Sequence, residues 1–309
     1  MAHPSVSVII PACNEAETIG AVVSSIRALH PDFEIIVIDD GSQDETSSTA
    51  LAAGAKVYAH PYNIGNGAAV KSGIRVAEGE FLVMMDADGQ HNPAEIKKLL
   101  AELPEYDMVV GARNHSGQAS LGRALGNRIY SWFASYVAKF PIQDLTSGFR
   151  AIKADLAKSF LYLLPNTYSY PTTITLGVLR SGRTLTYVPI EVNARRRGSS
   201  QIKLIKDGAR FFMIIVRICT LYSPMRVFLP VSFSMFLLGL GWYLYTFLSD
   251  GRFTNMSALL FTTAIVIFMM SLVSEQISQM RFERRGSERA RPVSVDSLKS
   301  QPGRDDRAE

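Results

Sequence analysis

The sequence predicts an α/β domain built on a mainly parallel sheet, followed by an interfacial amphipathic helix and a two-helix transmembrane hairpin. Three observations carry that expectation. Short apolar runs of strand length alternate with stretches of helical periodicity through the N-terminal part of the chain, the pattern of a sheet covered on both faces. Most of these runs end in a cluster of Asp, Asn, Gly or Ser, where parallel sheets bind ligands. Near the C-terminus, residues 227–248 and 253–273 contain no charged side chain. Each stretch is long enough to cross a hydrocarbon core as a helix, which takes about 20 residues.

The elements follow in order. Residues 5–10 (SVSVII) read as a buried strand ending at Pro11, and 15–29 as a helix with Ile19, Val22, Val23, Ile26 and Leu29 on one side. A second strand, 33–38, delivers Asp39-Asp40-Gly41-Ser42. A short helix (44–53), a short strand (55–59) and a helix (67–78) precede the strand 80–85, which surfaces into Asp86-Ala87-Asp88. Asn92-Pro93-Ala94-Glu95 reads as an N-cap with Pro at the first helical position and Glu at the third. Residues 106–111 form one more strand, 123–140 a helix with Ile129, Trp132, Phe133, Tyr136 and Val137 as its apolar side, and 143–150 a loop. Residues 154–164 and 172–181 read as helices, and 184–192 as a strand.

From Ala194 the chain turns basic. Lys203, Lys206, Arg210 and Arg217 share one helical face, while Ile205, Phe211, Phe212, Ile214, Ile215 and Ile218 fill the rest, as in a helix lying in the membrane interface. Only Ser249-Asp250-Gly251-Arg252 separates the two charge-free runs, which suits a tight hairpin. The expected organisation is an α/β domain (1–193), a basic loop and interfacial helix (194–225), the hairpin (226–280) and a basic, disordered tail (281–309). Lys and Arg crowd both flanks of the hairpin, whereas its tip has a single Arg, so both termini are expected in the cytoplasm.

With 309 residues, of which 47% are hydrophobic, the chain can hold one sizeable domain and an accessory region. Its formal charge of +4 is concentrated beside the spans, which favours anionic headgroups of a lipid bilayer over nucleic acid. No apolar run precedes the first strand, so a cleavable signal peptide is not expected. Cys13 and Cys219 are far apart and imply neither a disulfide framework nor a zinc site.

The Asp86-Ala87-Asp88 turn is the most informative local feature. Two carboxylates one residue apart at a strand end can face one small hard cation, Mg²⁺ or Mn²⁺, whose other positions are filled by phosphate oxygens and water. That points to chemistry on a diphosphate, although Asp after a strand is also ordinary turn punctuation. The loop after the first strand can offer the backbone of Pro11, Ala12 and Cys13 and the Glu15 carboxylate to a nucleobase edge; alternatively Asn14 caps the following helix. Asp40 can accept from a base or ribose, or else cap Ser42. Gly65 and Gly67 would let backbone approach a nucleotide. Lys71 is a candidate phosphate ligand or an exposed helix lysine. Arg113, Arg123 and Arg128 can meet a second phosphate, because planar guanidinium groups suit its oxygens, or they can form a solvated face.

In this order, Pro11-Ala12-Cys13-Asn14-Glu15, Asp39-Asp40-Gly41-Ser42, Asn63-Ile64-Gly65-Asn66-Gly67, Asp86-Ala87-Asp88-Gly89-Gln90 and Gln143-Asp144-Leu145-Thr146-Ser147-Gly148-Phe149-Arg150 resemble the family 2 inverting glycosyltransferases. The similarity is to the polyprenyl-phosphate glycosyltransferase branch, which includes dolichol-phosphate mannose synthase and bacterial two-span sugar transferases. The resemblance implies a GT-A-like domain that transfers one sugar from a nucleotide diphosphate sugar to polyprenyl phosphate at the cytoplasmic face, with UDP favoured over GDP. It implies that Asp86, Asp88 and Gln90 hold the Mg²⁺ or Mn²⁺. It further implies that Pro11, Ala12, Cys13, Asn14, Glu15, Asp39, Asp40, Lys71, Asp86, Ala87, Asp88 and Gln90 bind the nucleotide sugar. Asp88 and Asp144 become the catalytic candidates. A phosphate acceptor is largely ionised near neutral pH, its second pKa being about 6, so Asp144 either orients or deprotonates. Arg113, Arg123, Arg128, Arg195 and Ser200 become candidates for the acceptor phosphate; Gln201 stands where the family's basic loop has Lys. Homo-oligomerisation is left open.

Two rivals make different predictions. A processive polysaccharide synthase usually carries Gln-x-x-Arg-Trp, but neither Trp132 nor Trp242 follows an Arg. A catalytically inactive membrane adaptor would not need Asp86, Asp88 and Asp144 intact.

Overall fold

The structure, a computed structural model, describes residues 5–113, 135, 139–167, 169–191 and 224–283. Among these residues seven strands form one sheet: β1 (Val6–Ala12), β2 (Glu34–Asp39), β3 (Lys56–Ala59), β4 (Phe81–Met84), β5 (Met108–Arg113), β6 (Arg150–Lys153) and β7 (Leu185–Ile190). Their order is β3-β2-β1-β4-β6-β5-β7. All neighbours run parallel except β6, which is antiparallel to both β4 and β5.

Both faces of β1 are buried, as its unbroken apolar run requires. Val8 and Ile10 face α1 (Ala16–Leu29), which contributes Ile19, Val22, Val23 and Ile26, and α4 (Ile96–Glu102), which contributes Ile96 and Leu99. Ile9 faces the other way, together with Ile36 and Ile38. That side is covered by Val70 and Ile74 of α3 (Asn66–Val76), Ala157 of α5 (Ala154–Ser159), and Ile174 and Val178 of α6 (Tyr170–Arg180). A Cβ on Gly73 would lie 2.3 Å from Ile9 Cγ2, so α3 sits on the sheet only because that position has no side chain. Among the described residues of this part, the remaining α-helix is α2 (Thr46–Ala52).

Several expected boundaries move. The strand expected at 106–111 is Met108–Arg113, which puts Arg113 on the sheet rather than in a following loop. The four residues Arg150–Lys153 form a strand that was not expected, because so short a segment shows no periodicity. The helix expected over 154–164 ends at Ser159, and the next begins at Tyr170, with Pro171 in its first turn where a missing N–H costs nothing. Asn92 does accept from Ala94 N–H at 3.0 Å, but the turn it caps, Pro93–Glu95, is a 3₁₀ turn leading into α4. Of the expected helix over 123–140 only residues 135, 139 and 140 are described; the interfacial helix and the 284–309 part of the tail lie outside the described residues.

α7 (Pro224–Asp250) and α8 (Asn255–Glu283) form the hairpin. Both are long and apolar enough to cross a membrane, and only 11% and 17% of their apolar stretches are buried, unlike a core helix of a soluble domain. Leu238, Tyr245, Ile265 and Met270 point outward. The seam between the helices is made of small residues at seven-residue intervals: Ser232, Gly239 and Thr246 on α7, Ser257, Ala264, Ser271 and Ser278 on α8, all buried. Ser232 Oγ donates to Ala264 O at 2.7 Å, and Gly239 packs on Leu260 and Phe261. Close approach at small residues with a hydroxyl bond across the seam is how helices associate where surrounding lipid removes the hydrophobic drive.

Candidate active site

The register of the sheet brings the C-terminal ends of β1, β2, β4 and β5 and the start of β6 to one edge. Every polar motif of the N-terminal domain that the structure describes meets there.

The loops after β1 and β2 are tied to each other. Asn14, in the left-handed region at φ 56°, donates its N–H to Ser42 Oγ at 2.9 Å and accepts from Gln43 N–H at 2.8 Å. It does not cap α1. Glu15 occupies that position without a capping bond, and the first N–H groups go instead to Thr46 Oγ1 at 2.9 Å and Asp44 Oδ2 at 3.2 Å, supplied by the β2 loop. Pro11 and Ala12 belong to β1 itself, while Cys13 accepts from Asn63 Nδ2 at 3.2 Å. Asp39 accepts from Ser42 N–H at 2.8 Å and from the Ser47 hydroxyl. The cap on Ser42 therefore comes from Asp39 rather than Asp40.

Asp40 is buried and both its oxygens are engaged. It accepts from Ile64 N–H at 2.9 Å, Gly65 N–H at 2.7 Å and His60 Nδ1 at 2.7 Å, holding down the loop after β3. Gly65 and Gly67 serve a close approach within the chain: added Cβ atoms would lie 2.3 Å from Asn166 O and 2.2 Å from Pro165 O. Lys71 joins the same contact, donating to Leu164 O at 3.2 Å and to Asn166 Oδ1, and burial lowers its pKa. It is neither an exposed lysine nor a loose one.

The acidic centre lies beyond β4. The Asp86 side chain is 37% exposed, and its carboxylate abuts Gly148, where an added Cβ would lie 2.6 Å from Oδ2. Asp88 accepts from Gln90 N–H at 3.1 Å, and Ala87 between the two acids is buried. Among the described residues, no three His, Cys, Asp or Glu side chains form a ready metal cage. Two carboxylates and the Gln90 amide are nevertheless the hard-oxygen donor set that Mg²⁺ or Mn²⁺ accepts, since such ions take one or two carboxylates and complete their shell with phosphate and water.

Across the loop, Asp144 is 6% exposed and held in a fork: Arg113 Nε donates to Oδ2 at 2.7 Å and Nη2 to Oδ1 at 3.0 Å. The N–H groups of Thr146 and Ser147 each donate to Oδ1 at 3.1 Å. Burial pushes the Asp144 pKa up, but the Arg113 bonds and charge and the backbone donors outweigh it and hold the group below the usual carboxylate range. The same pairing raises Arg113. An acid so placed is a poor proton acceptor and a good anchor.

Sequence reasoning missed two residues here. His91 is buried, its ring stacked on Phe149 at 5.0 Å with Nε2 3.5 Å from Asp86 Oδ2, linking the β4 loop to the 143–150 loop. A histidine directly after Gln90 was the available signal. Arg150 is fully buried; it donates to Pro171 O at 2.9 Å, Thr175 Oγ1 at 3.2 Å and Ser147 O, with its guanidinium over the Tyr170 ring at 5.9 Å. Burial lowers its pKa. Arg123, Arg128, Arg195 and Ser200 lie outside the described residues.

Comparison with known proteins agrees with this geometry. Residues 7–161 match Glycosyl transferase family 2, and residues 223–280 match the GtrB C-terminal hairpin. The glycosyltransferase AglJ of Haloferax volcanii is 30% identical over 249 residues, 78% of this chain and 80% of the relative. An undecaprenyl-phosphate 4-deoxy-4-formamido-L-arabinose transferase of Pseudomonas fluorescens is 26% identical across 96% of this chain and 91% of its own length. An undecaprenyl-phosphate mannosyltransferase of Micrococcus luteus is 28% identical across 63% and 86%. Among solved structures, glucosyl-3-phosphoglycerate synthase from Mycobacterium tuberculosis, in complex with Mn²⁺, UDP and glucosyl-3-phosphoglycerate, superposes with a TM-score of 0.55 at 23% identity, covering 70% of this chain and 79% of that one. The sheet is thus of the GT-A-like kind, and the chain belongs to glycosyltransferase family 2, as an enzyme that carries the GtrB-type hairpin at its C-terminus.

Proposed function

We propose that the enzyme transfers a single sugar, with inversion, from a nucleotide diphosphate sugar to polyprenyl phosphate at the cytoplasmic face of the membrane. The observation that carries the reading is the meeting of Asp86 and Asp88 with the Arg113–Asp144 fork at one sheet edge, in a chain that ends in an apolar hairpin. The names of the Micrococcus and Pseudomonas relatives support the acceptor, and the UDP complex of the solved neighbour supports uridine as the base.

In this reading, 10–15, Asp39, Asp40 and the loop after β3 form the nucleotide side of the cleft, with Asp39, Asp40 and Lys71 fixing its walls. Asp86, Asp88 and Gln90 would hold Mg²⁺ or Mn²⁺, which when bound supplies charge neutralisation to the departing diphosphate. Asp144 orients Arg113 toward the acceptor phosphate, and the arginines at 123, 128 and 195 with Ser200 are assigned to the same site. An ionised phosphate oxygen needs no strong base, so a depressed Asp144 suits its role as an orienter. Attack in line on the anomeric carbon requires no enzyme nucleophile; positioning supplies the rate. In this reading the basic 194–225 segment and the hairpin keep the cleft at the bilayer surface, and the Lys/Arg bias on both flanks of the hairpin supports cytoplasmic termini.

The test is to incubate purified full-length protein and polyprenyl phosphate with a panel of radiolabelled nucleotide sugars, with Mn²⁺ or with EDTA. Label should enter the organic phase with one donor, vanish in EDTA and return with Mg²⁺ or Mn²⁺. Asp88→Ala should abolish transfer with an unchanged melting temperature. Full activity in EDTA removes the metal from the account, and label in no lipid removes the acceptor.

A further inference from the structure

Helix α6 touches the reaction loop at one end and the membrane hairpin at the other. At its N-terminal end, Arg150 donates to Pro171 O and Thr175 Oγ1 and to Ser147 O of the loop, and lies over the Tyr170 ring. Thr172 donates to Leu145 O at 3.5 Å. The loop that carries Asp144 and Gly148 thus hangs on the first turns of α6. At the other end, Arg180 Nη2 donates to Glu275 Oε1 of α8 at 2.8 Å, and Glu275 Oε2 accepts from Met225 N–H at the start of α7 at 3.2 Å. One carboxylate, 15% exposed, therefore joins both hairpin helices to α6. Glu275 stands two positions beyond the charge-free run that ends at Val273. An ionised group there is costly without a partner, and a cation from the catalytic domain supplies one.

From this geometry we propose that α6 sets the register between the membrane hairpin and the reaction loop, and that Arg180 and Glu275 are positioning residues for transfer to a membrane-borne acceptor; the transfer itself rests on the function proposed above. Eleven residues of helix span about 16 Å at about 1.5 Å per residue. The element is buried from Tyr170 to Val178, so it moves as a rod rather than bending. A shift at Glu275 is delivered to Ser147 through Arg150, and the height of Asp144 and Arg113 above the hairpin is held by the same rod. A lipid phosphate has a fixed depth, whereas a soluble acceptor can follow the site; only the former needs this register.

The experiment uses the full chain in lipid nanodiscs, with Arg180→Glu, Glu275→Arg, the exchanged pair carrying both, and Glu275→Gln as the mildest change. Hydrogen exchange of amides 143–149 is measured without substrate, and kcat/KM is measured for a long-chain and for a short, water-soluble polyprenyl phosphate. Each single change should speed exchange in 143–149 and lower kcat/KM for the long-chain acceptor by about three- to thirtyfold. Turnover of the short acceptor and donor affinity should stay within about twofold, a margin inside the spread of near-neutral surface changes. The exchanged pair should recover part of both readouts and no more, because Glu275→Arg with Arg180→Glu restores the ion pair but leaves Met225 N–H without its acceptor. Unchanged exchange in 143–149 overturns the proposal, as does an equal loss on both acceptors, which would make the pair merely structural. If wild type transfers no sugar to either lipid, the acceptor reading fails while the exchange data still decide the coupling.

Discussion

Gly148→Ala isolates the acidic centre with a single methyl group. The new Cβ would lie 2.6 Å from Asp86 Oδ2, 2.9 Å from Oδ1 and 3.0 Å from Cγ, whereas ordinary contact begins at 3.4 Å. The Asp86 carboxylate must therefore retreat by roughly 0.8 Å, and a misplacement of about 1 Å in a reacting constellation costs on the order of a hundredfold. The fold should hardly notice. Gly148 is not in the left-handed region, and the atoms displaced are the end of a side chain 37% exposed, so the stability loss should stay below about 1 kcal/mol. The expected result is a ten- to hundredfold fall in kcat/KM for the nucleotide sugar, by rough count from the same displacement. Metal-dependent nucleotide binding by calorimetry should weaken in parallel, with a melting temperature close to wild type. Normal kcat/KM with normal stability would refute the placement of Asp86 at the reacting centre. A collapsed melting temperature would mean that the methyl strikes backbone instead.

The Arg113–Asp144 fork and its acid limit give two more predictions. Arg113→Ala strips two charge-assisted bonds from a buried carboxylate; because Arg113 itself is 42% exposed, the loss should be about 2 kcal/mol, a few degrees in melting temperature. Arg113→Lys should recover part of that stability and less of the acceptor kcat/KM, since a point charge replaces a fork. Asp144 and Asp107 are both held below the usual carboxylate range: burial pushes each up, but Arg113 with backbone donors for Asp144, and Thr184 and Lys153 for Asp107, more than offset it. A depressed folded-state pKa contributes stability at pH above the unfolded value, near 4, and loses it as pH falls through the folded value. Thermal scans should therefore show no loss from these pairs between about pH 6 and 5 and a decline below about pH 4. Acceptor kcat/KM should fall near pH 6, where the second phosphate proton, with a pKa of about 6, returns to the acceptor. Survival of a limb near pH 6 with an acceptor that does not titrate there would reassign it to the protein.

Long-range patterning in the sequence is reliable where one physical cause dominates. Uninterrupted apolar runs mark β1, β2 and β4 because both faces of the sheet are covered, and two charge-free runs mark α7 and α8. Where short segments compete for partners the sequence is mute. Arg150–Lys153 is too brief to display a period, and its antiparallel place between β4 and β5 depends on neighbours remote in the chain. Asp39 and Asp40 follow each other at a strand end and so point to different sides, and only the fold decides that Asp39 meets Ser42 while Asp40 meets Ile64 and Gly65. Gly65 and Gly67 read as room for a ligand, but the backbone they admit is the chain's own 165–167 segment. Arg150 was invisible as a buried cation because its direct partners are mostly carbonyl oxygens, which every sequence has. The seven-residue seam of Ser232, Gly239 and Thr246 was hidden by helices that are apolar on all sides.

The account rests on a single displacement in which an ionised acceptor attacks the sugar while Asp144 stays bound to Arg113. The anomeric configuration of the lipid product, read by NMR after transfer from an α-linked nucleotide sugar, tests this most directly. A β-linked sugar phosphate is the predicted result. An α-linked product would mean net retention, by two displacements or by attack on the face the diphosphate leaves, and would contradict the account.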